Sequence, residues 1–353
     1  MYKITYICQA VDENDPLLAV SVDWIREFSY YPEVEKIMVI ALRAGEFSLP
    51  DNVIVKTIRG SNHLMTIINF YKEVFKNLKK TDFYFIHLGG PYSTFLIPFR
   101  IFLRKKVYQW YTHSYISPLM KFQALFCIDR IFTATNSSFA MNLAKIRAIG
   151  HGINTDLFRI NLIDKKDDLI TSGRYSLIKN LDKILELVSK YNEKFKESLK
   201  VNFYGPTFKK DQYFKKNLLN KKNELLLDNN IFFNEAVRRD HLPTLINQHR
   251  VFISFSDAGL DKASLESMAC GLPVLTSNKM LAEILPGHLK ELMIVDKNDI
   301  EGQLVKLNKL LTLDDQERLS LAEELRHIIK RDHTTPMLVD KIFYEINNYE
   351  KQN

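Results

Sequence analysis

Two doubly wound α/β domains are what this sequence predicts, on three observations. Short β-rich runs alternate with amphipathic stretches along the whole chain, the pattern of parallel sheets covered by helices. At 353 residues the chain exceeds the size at which a single hydrophobic core keeps growing, so two cores are expected. With 46% hydrophobic residues it can fill both, and its twelve glycines and eleven prolines are too few and too scattered for disordered or fibrous segments.

In the first half, strands are expected at Lys3 to Cys8, Lys36 to Leu42, Asn52 to Ile58, Asp82 to Leu88, Lys106 to Tyr111 and Arg130 to Ala134. Helices are expected at Pro16 to Phe28, with proline at its first position, and at Met65 to Leu78, where Ile67, Tyr71, Val74 and Leu78 share a face. A loop at Ile149 to Asn154 and a polar segment ending at Asp168 then introduce a second alternating series. Its strands are read at Leu169 to Ser172, Lys200 to Tyr204, Asn230 to Phe233, Val251 to Ser254, Pro273 to Thr276 and Glu291 to Val295, with helix from Asp299 onward. The boundary is placed near Arg159, giving domains 1–158 and 159–330, with a last helix over 331–353 returning to the first domain. Two such domains facing each other would bind a ligand between their strand ends.

Cys8, Cys127 and Cys270 are widely spaced in apolar sequence, which suits buried reduced thiols and a cytoplasmic setting rather than a disulfide framework or zinc site. The first residues read as a strand rather than a signal peptide, and no run approaches the ~20 apolar residues of a membrane span. A net charge of +7 and a pI near 9.0 favour anionic partners. The lysines are dispersed without an interleaved aromatic platform, which argues against nucleic acid.

The turn after the first strand, Cys8 to Asp15, contains no glycine, so the G-x-G-x-x-G fingerprint of dinucleotide binding is missing. A G-x-x-x-x-G-K-[ST] loop and an Asp-x-Asp metal clamp are missing as well. The informative segments lie in the second domain. Gly173-Arg174 follows a strand, and Lys179 stands near the next helix, so two cations and a helix N-terminus are expected beside a strand end, where a pyrophosphate would bind. The second segment is Val251 to Ser256, a polar loop through Asp257 and Gly259, and a short helix carrying Ser264, Leu265 and Glu266 before Gly271 and Pro273.

These segments resemble the signature regions of glycosyltransferase family 4, whose members have the GT-B fold of two Rossmann-like domains. Gly173-Arg174 with Lys179 matches the family's diphosphate-binding stretch, and Glu266 to Val274 matches the end of its Glu-x7-Glu motif. Ile149 to Phe158 resembles its interdomain segment. The resemblance implies a retaining, metal-independent transfer from a nucleotide-diphosphate sugar to a glycan or lipid-linked acceptor in cell-surface polysaccharide synthesis, with no cofactor. Arg174, Lys179 and Glu266 would be the catalytic residues. Gly173, His113, Asp257, Gly259, Ser264 and Leu265 would bind the donor, and His87 and Gly90 would line the acceptor pocket. One departure stands out: the first glutamate of the motif is replaced by Ala258, for which Asp257 or Asp261 would have to substitute. A sugar-phosphate synthase and a catalytically inactive nucleotide-sugar-binding protein are the alternatives.

Finally, Lys72, Lys76 and Lys80 at four-residue spacing on the helix to Lys80, with Phe99, Phe102, Arg104, Lys105 and Lys106, form basic-apolar patches in the first domain. They are expected to touch the inner face of an anionic membrane weakly.

Overall fold

The computed structural model describes residues 1–113 and 115–352, so Ser114 lies outside the described residues. The chain divides into two compact units, Met1–Gly152 with Thr335–Asn353, and Ile153–Thr334. The first break precedes Arg159 because residues 153–158 are tied to the second unit. Ile153 donates its amide to His333 O, and Arg326 donates to the carbonyls of Phe158 and Thr155. The second break comes at Thr335 rather than residue 331 because the helix ending at Asp332 belongs to the second unit.

The first unit holds a seven-stranded parallel sheet of order β3-β2-β1-β4-β5-β6-β7. Its strands are β1 Tyr2–Val11, β2 Val34–Ala44, β3 Val53–Thr57, β4 Phe83–His87, β5 Lys106–Trp110, β6 Arg130–Thr133 and β7 Ile146–Ala148. Strand β1 lies inside the sheet, between β2 and β4, with Ile4, Tyr6, Ile7, Cys8, Ala10 and Val11 all buried, which is why it reads as a continuous apolar run rather than an alternation. The expected helix from Pro16 begins only at Val20. Asp15 accepts hydrogen bonds from the amides of Leu17 and Leu18, and this local turn displaces the first helical turn. The helix Thr335–Gln352 packs in this unit: Phe343 stacks on Tyr31 at 4.0 Å, and Glu345 pairs with Arg147 at 2.8 Å.

Three details of the expected basic-apolar patches differ. Helix His63–Asn77 stops before Lys80, which falls in a following 3-10 turn. Phe99 is buried in the core, and Lys106 lies over the Tyr349 ring at 4.9 Å. Phe102, by contrast, is exposed.

The second unit holds a five-stranded parallel sheet, β10-β9-β8-β11-β12, built from β8 Asp167–Ser172, β9 Val201–Tyr204, β10 Ile231–Asn234, β11 His249–Ser254 and β12 Val274–Thr276. The expected strand Glu291 to Val295 is a correction. Residues Gly287–Met293 are helical, with Leu289 and Met293 buried on one face four residues apart, and only Ile294 bridges to Thr276. An apolar run this short fits either period, and the helical one prevails here.

Both sheets are wound in the Rossmann order, outward in each direction from their first strand. In the second unit the direction of winding reverses between β8 and β11, so a crevice opens beyond their carboxyl ends, the place where such sheets bind ligands.

Candidate active site

The chain leaving β8 at that reversal point is shaped by glycine. Gly173 has φ +131°, a conformation that side chains rarely adopt. A Cβ on Gly205, after β9, would sit 1.9 Å from the Gly173 carbonyl oxygen, so both loops depend on bare backbone to pass each other. Next along the chain, Tyr175 is buried and its hydroxyl donates to Phe203 O at 3.0 Å or Asn234 O at 2.8 Å. Held between these anchors, Arg174 remains half-exposed, 3.5 Å from Asp211 and over the Phe208 ring.

A turn then brings Lys179 and Asn180 onto the end of β11. The Asn180 amide donates to Phe255 O at 2.7 Å and Asp257 Oδ2 at 2.8 Å, while Asp257 N donates to Ile178 O at 2.9 Å. Lys179 Nζ donates to Asp261 Oδ1 at 2.9 Å. Asp261 is buried, and its Oδ2 accepts from Ser254 Oγ at 2.7 Å and Ser264 Oγ at 3.0 Å. Burial alone would push this carboxyl's pKa upward, but Lys179 and the two serines outweigh it and hold it below the ordinary aspartate range. Asp261 also stands at the N-cap of helix Lys262–Ala269 without its side chain bonding the helix amides. The positive end of that helix therefore lies beside Lys179, an arrangement suited to an anion.

Several expected site residues take other parts. Asp261 cannot replace the carboxylate missing at Ala258, because its oxygens are turned inward to Lys179, Ser254 and Ser264. Ser264 donates to Asp261, and the Leu265 side chain is fully buried, so Leu265 offers a ligand nothing but backbone. Glu266 is buried, bonded to Lys262 and 3.8 Å from Arg239. It is a carboxylate between two cations rather than an open acceptor. Asp257 is the exposed one: Lys297 Nζ donates to both its oxygens at 2.9 and 2.8 Å. Partial burial raises its pKa, but Lys297 and Asn180 outweigh that and keep it below the usual value.

Next to Asp257 and Ala258 opens a cavity of about 620 Å³, whose lining includes Asn278, Lys279, Asp296 and Lys297. Asn278 fixes the loop along it, donating to the carbonyls of Ser256, Ala258 and Gly259, each at 3.1 Å. Sequence reasoning missed Asn278, Lys297, Asp211 and Arg239. Each sits outside the motifs, and only the folded chain brings it to them.

The first-unit residues divide. His113 follows β5 half-buried, its Nδ1 accepting from Tyr115 N at 3.1 Å. Gly90 (φ +131°) accepts at its carbonyl from Gln123 at 2.8 Å. His87 is a correction: its ring is buried, hydrogen-bonded to Tyr6 at 2.8 Å and stacked on Trp24 at 4.3 Å, so it belongs to the core and lines no open pocket. All three cysteines are buried free thiols, with Cys8 and Cys270 pushed up to about 12 chiefly by burial. Among the described residues no helix is long and apolar enough to cross a membrane.

Residues 153–329, almost the whole second unit, match the family model described as glycosyl transferases group 1. The chain belongs to this family. No curated protein sequence matches this group 1 glycosyl transferase, but solved structures resemble it along its full length. The structure of HepE from Anabaena in complex with UDP and glucose is 13% identical, with 99% of this chain and 100% of that chain covered and a TM-score of 0.77. Sucrose-phosphate synthase from Thermosynechococcus elongatus is also 13% identical, with both chains covered at 100% and a TM-score of 0.75. The N-terminal domain of trehalose-6-phosphate phosphatase from Candida albicans is 12% identical, covered at 99% and 97%, with a TM-score of 0.76. At such identities the likeness is one of fold, and that fold is GT-B, with two parallel-sheet α/β units.

Proposed function

We propose that this group 1 glycosyl transferase is a retaining, metal-independent enzyme of the family 4 type. It moves a hexose from a nucleotide-diphosphate sugar, with UDP as the nucleotide, to a glycan or lipid-linked acceptor in cell-surface polysaccharide synthesis. The observation that carries this reading is the position of Lys179 at the reversal point of the sheet, packed over Gly173 at the end of β8 and bonded to Asp261 at the N-cap of helix Lys262–Ala269, with Arg174 the next residue along the chain from Gly173. HepE, whose structures hold UDP and UDP-glucose, supports UDP as the nucleotide.

In this reading the bond between the sugar's anomeric carbon and the diphosphate oxygen breaks, and the acceptor oxygen bonds to the same face of that carbon. The acceptor's proton passes to the departing phosphate oxygen, so no side-chain base is needed. Arg174, Lys179 and the helix amides stabilise the charge growing on the diphosphate, each such contact contributing about 3 to 4 kcal/mol of barrier lowering. These two cations take the place of a divalent ion. Asp257, exposed beside the cavity next to Ala258, takes the sugar-binding part of the missing glutamate, and the buried Glu266 acts through the cations it holds, Lys262 and Arg239.

Ala258 and the neutralised charge of Lys179 favour a second reading, a protein that binds nucleotide sugars without turning them over. Incubation with a panel of nucleotide-diphosphate sugars and lipid-extract acceptors in the presence of a chelator separates the two. The expected result is a product whose anomeric configuration, read by proton coupling in NMR, equals the donor's, at a rate the chelator leaves unchanged. Inversion, or loss in chelator restored by a divalent ion, contradicts the mechanism. Binding without turnover establishes the second reading.

A further inference from the structure

The first unit carries a surface that the transfer chemistry does not use. Helices His63–Asn77, Ile97–Leu103 and Pro118–Phe126 adjoin one another on their inner sides. Phe75 meets Phe99 edge-on at 5.1 Å, and Arg100 donates to Phe126 O at 3.1 Å while forking onto both Asp129 oxygens. The outer sides of the same helices are apolar in a way that water does not favour. Phe102 is 81% exposed, Phe75 63%, and Ile101 and Phe126 59% each, with Leu103 and Phe122 also exposed. Single exposed apolar residues are ordinary, but a group of this size on adjoining elements marks an interaction surface.

Its charge says what it meets. Residues 61–128 contain nine lysines and arginines against two acids, Glu73 and Asp82. Arg100 is neutralised by Asp129, which leaves a surplus of six of the seven on this stretch, most of the chain's formal net charge of +7. From Phe83 to Ile128 there is no acidic residue at all. Lys72 and Lys76 are exposed along the same side of their helix as Ile68 and Phe75, Lys79 is exposed in the 3-10 turn that follows, and Arg104 and Lys121 are exposed at the other two helices. Large apolar tips interleaved with cations match a layer whose outer plane is anionic and whose interior is hydrocarbon, since lysine stems can lie along the apolar surface with their ammonium groups in the headgroup plane.

We infer that this three-helix face docks on an anionic phospholipid bilayer, with Phe75, Ile101, Phe102 and Phe126 entering the headgroup and acyl boundary and the surrounding cations pairing with lipid phosphates. The inference does not depend on the proposed transfer reaction. Cosedimentation of the full chain with vesicles of phosphatidylcholine alone, or with phosphatidylglycerol added, tests it. The expected result is at least a tenfold preference for the anionic vesicles, lost at about 1 M salt, where the screening length falls to about 3 Å. Lys72→Glu with Lys76→Glu and Lys79→Glu removes the preference. Phe102→Ser with Phe126→Ser weakens binding to the anionic vesicles while leaving the melting midpoint unchanged, as expected for side chains this exposed. Equal partition to both vesicle types, or binding to neither, overturns the inference. So does lipid-free dimerisation abolished by the phenylalanine variant, which would assign the face to a second copy of the chain. The salt dependence of the unmodified chain decides the matter even if a variant fails to fold.

Discussion

Arg174→Ala and Lys179→Ala each lower turnover by about 10²- to 10³-fold, the typical effect of removing one preorganised contact to developing charge. The two variants are expected to differ in stability. Arg174 is half-exposed, and its contacts are Asp211 at 3.5 Å and the face of Phe208, so the fold tolerates its loss. Lys179 is the charge partner of the buried Asp261, and alanine there strands a carboxylate away from water, a change that costs about 3 to 5 kcal/mol. Steady-state kinetics together with urea denaturation check both halves. Full activity in either variant would remove that residue from the diphosphate site. Unchanged stability in Lys179→Ala would mean that the Asp261 pair contributes little.

The second large effect concerns Asp261 itself. Asp261→Asn keeps the volume and the serine hydrogen bonds but loses the charge, and the expected loss is again about 3 kcal/mol at neutral pH, with turnover falling as Lys179 loses its anchor. The effect depends on pH in a definite direction. In the folded protein this carboxyl titrates below its ordinary value. Its stabilising contribution is therefore complete above the unfolded pKa, near 3.9, and disappears as pH falls through the lower folded value. The gap in denaturation midpoint between the unmodified chain and Asp261→Asn should be wide at pH 7, begin to narrow near about pH 4 and close only as pH falls through the lower folded value. A gap independent of pH would show that the asparagine acts through packing alone.

Much of the fold was readable because parallel sheets buried on both faces write themselves as continuous apolar runs, and β1, β4 and β11 are of that kind. What could not be read was short or shared. Strand β7 has three residues, too few to carry a period. The run at Glu291 to Val295 satisfied both periods, and Leu289 with Met293 made it helical. In the site, Arg174 and Lys179 were legible from their place after a strand end. The partner of Lys179 was not, because it lies 82 residues away along the chain, and only the neighbouring of β8 and β11 brings them together. His87 misled for the same reason. A histidine at a strand's carboxyl end usually faces a crevice, but Trp24 and Tyr6, from other elements, close over this one. The substitution at Ala258 was plain in the sequence, yet whether Asp257 or Asp261 stood open beside it depended on Lys297 and Lys179.

We assign the donor diphosphate to Arg174 and Lys179 at the reversal point of the second sheet. Calorimetric titration of the full chain with UDP and with UMP tests it most directly, since the two ligands differ by one phosphate. The expected result is that UDP binds at least tenfold more tightly, an advantage of about 1.4 kcal/mol, and that Arg174→Ala abolishes this advantage while leaving the affinity for UMP nearly unchanged. Equal affinity for the two nucleotides, or an undiminished preference for UDP in the variant, would contradict it.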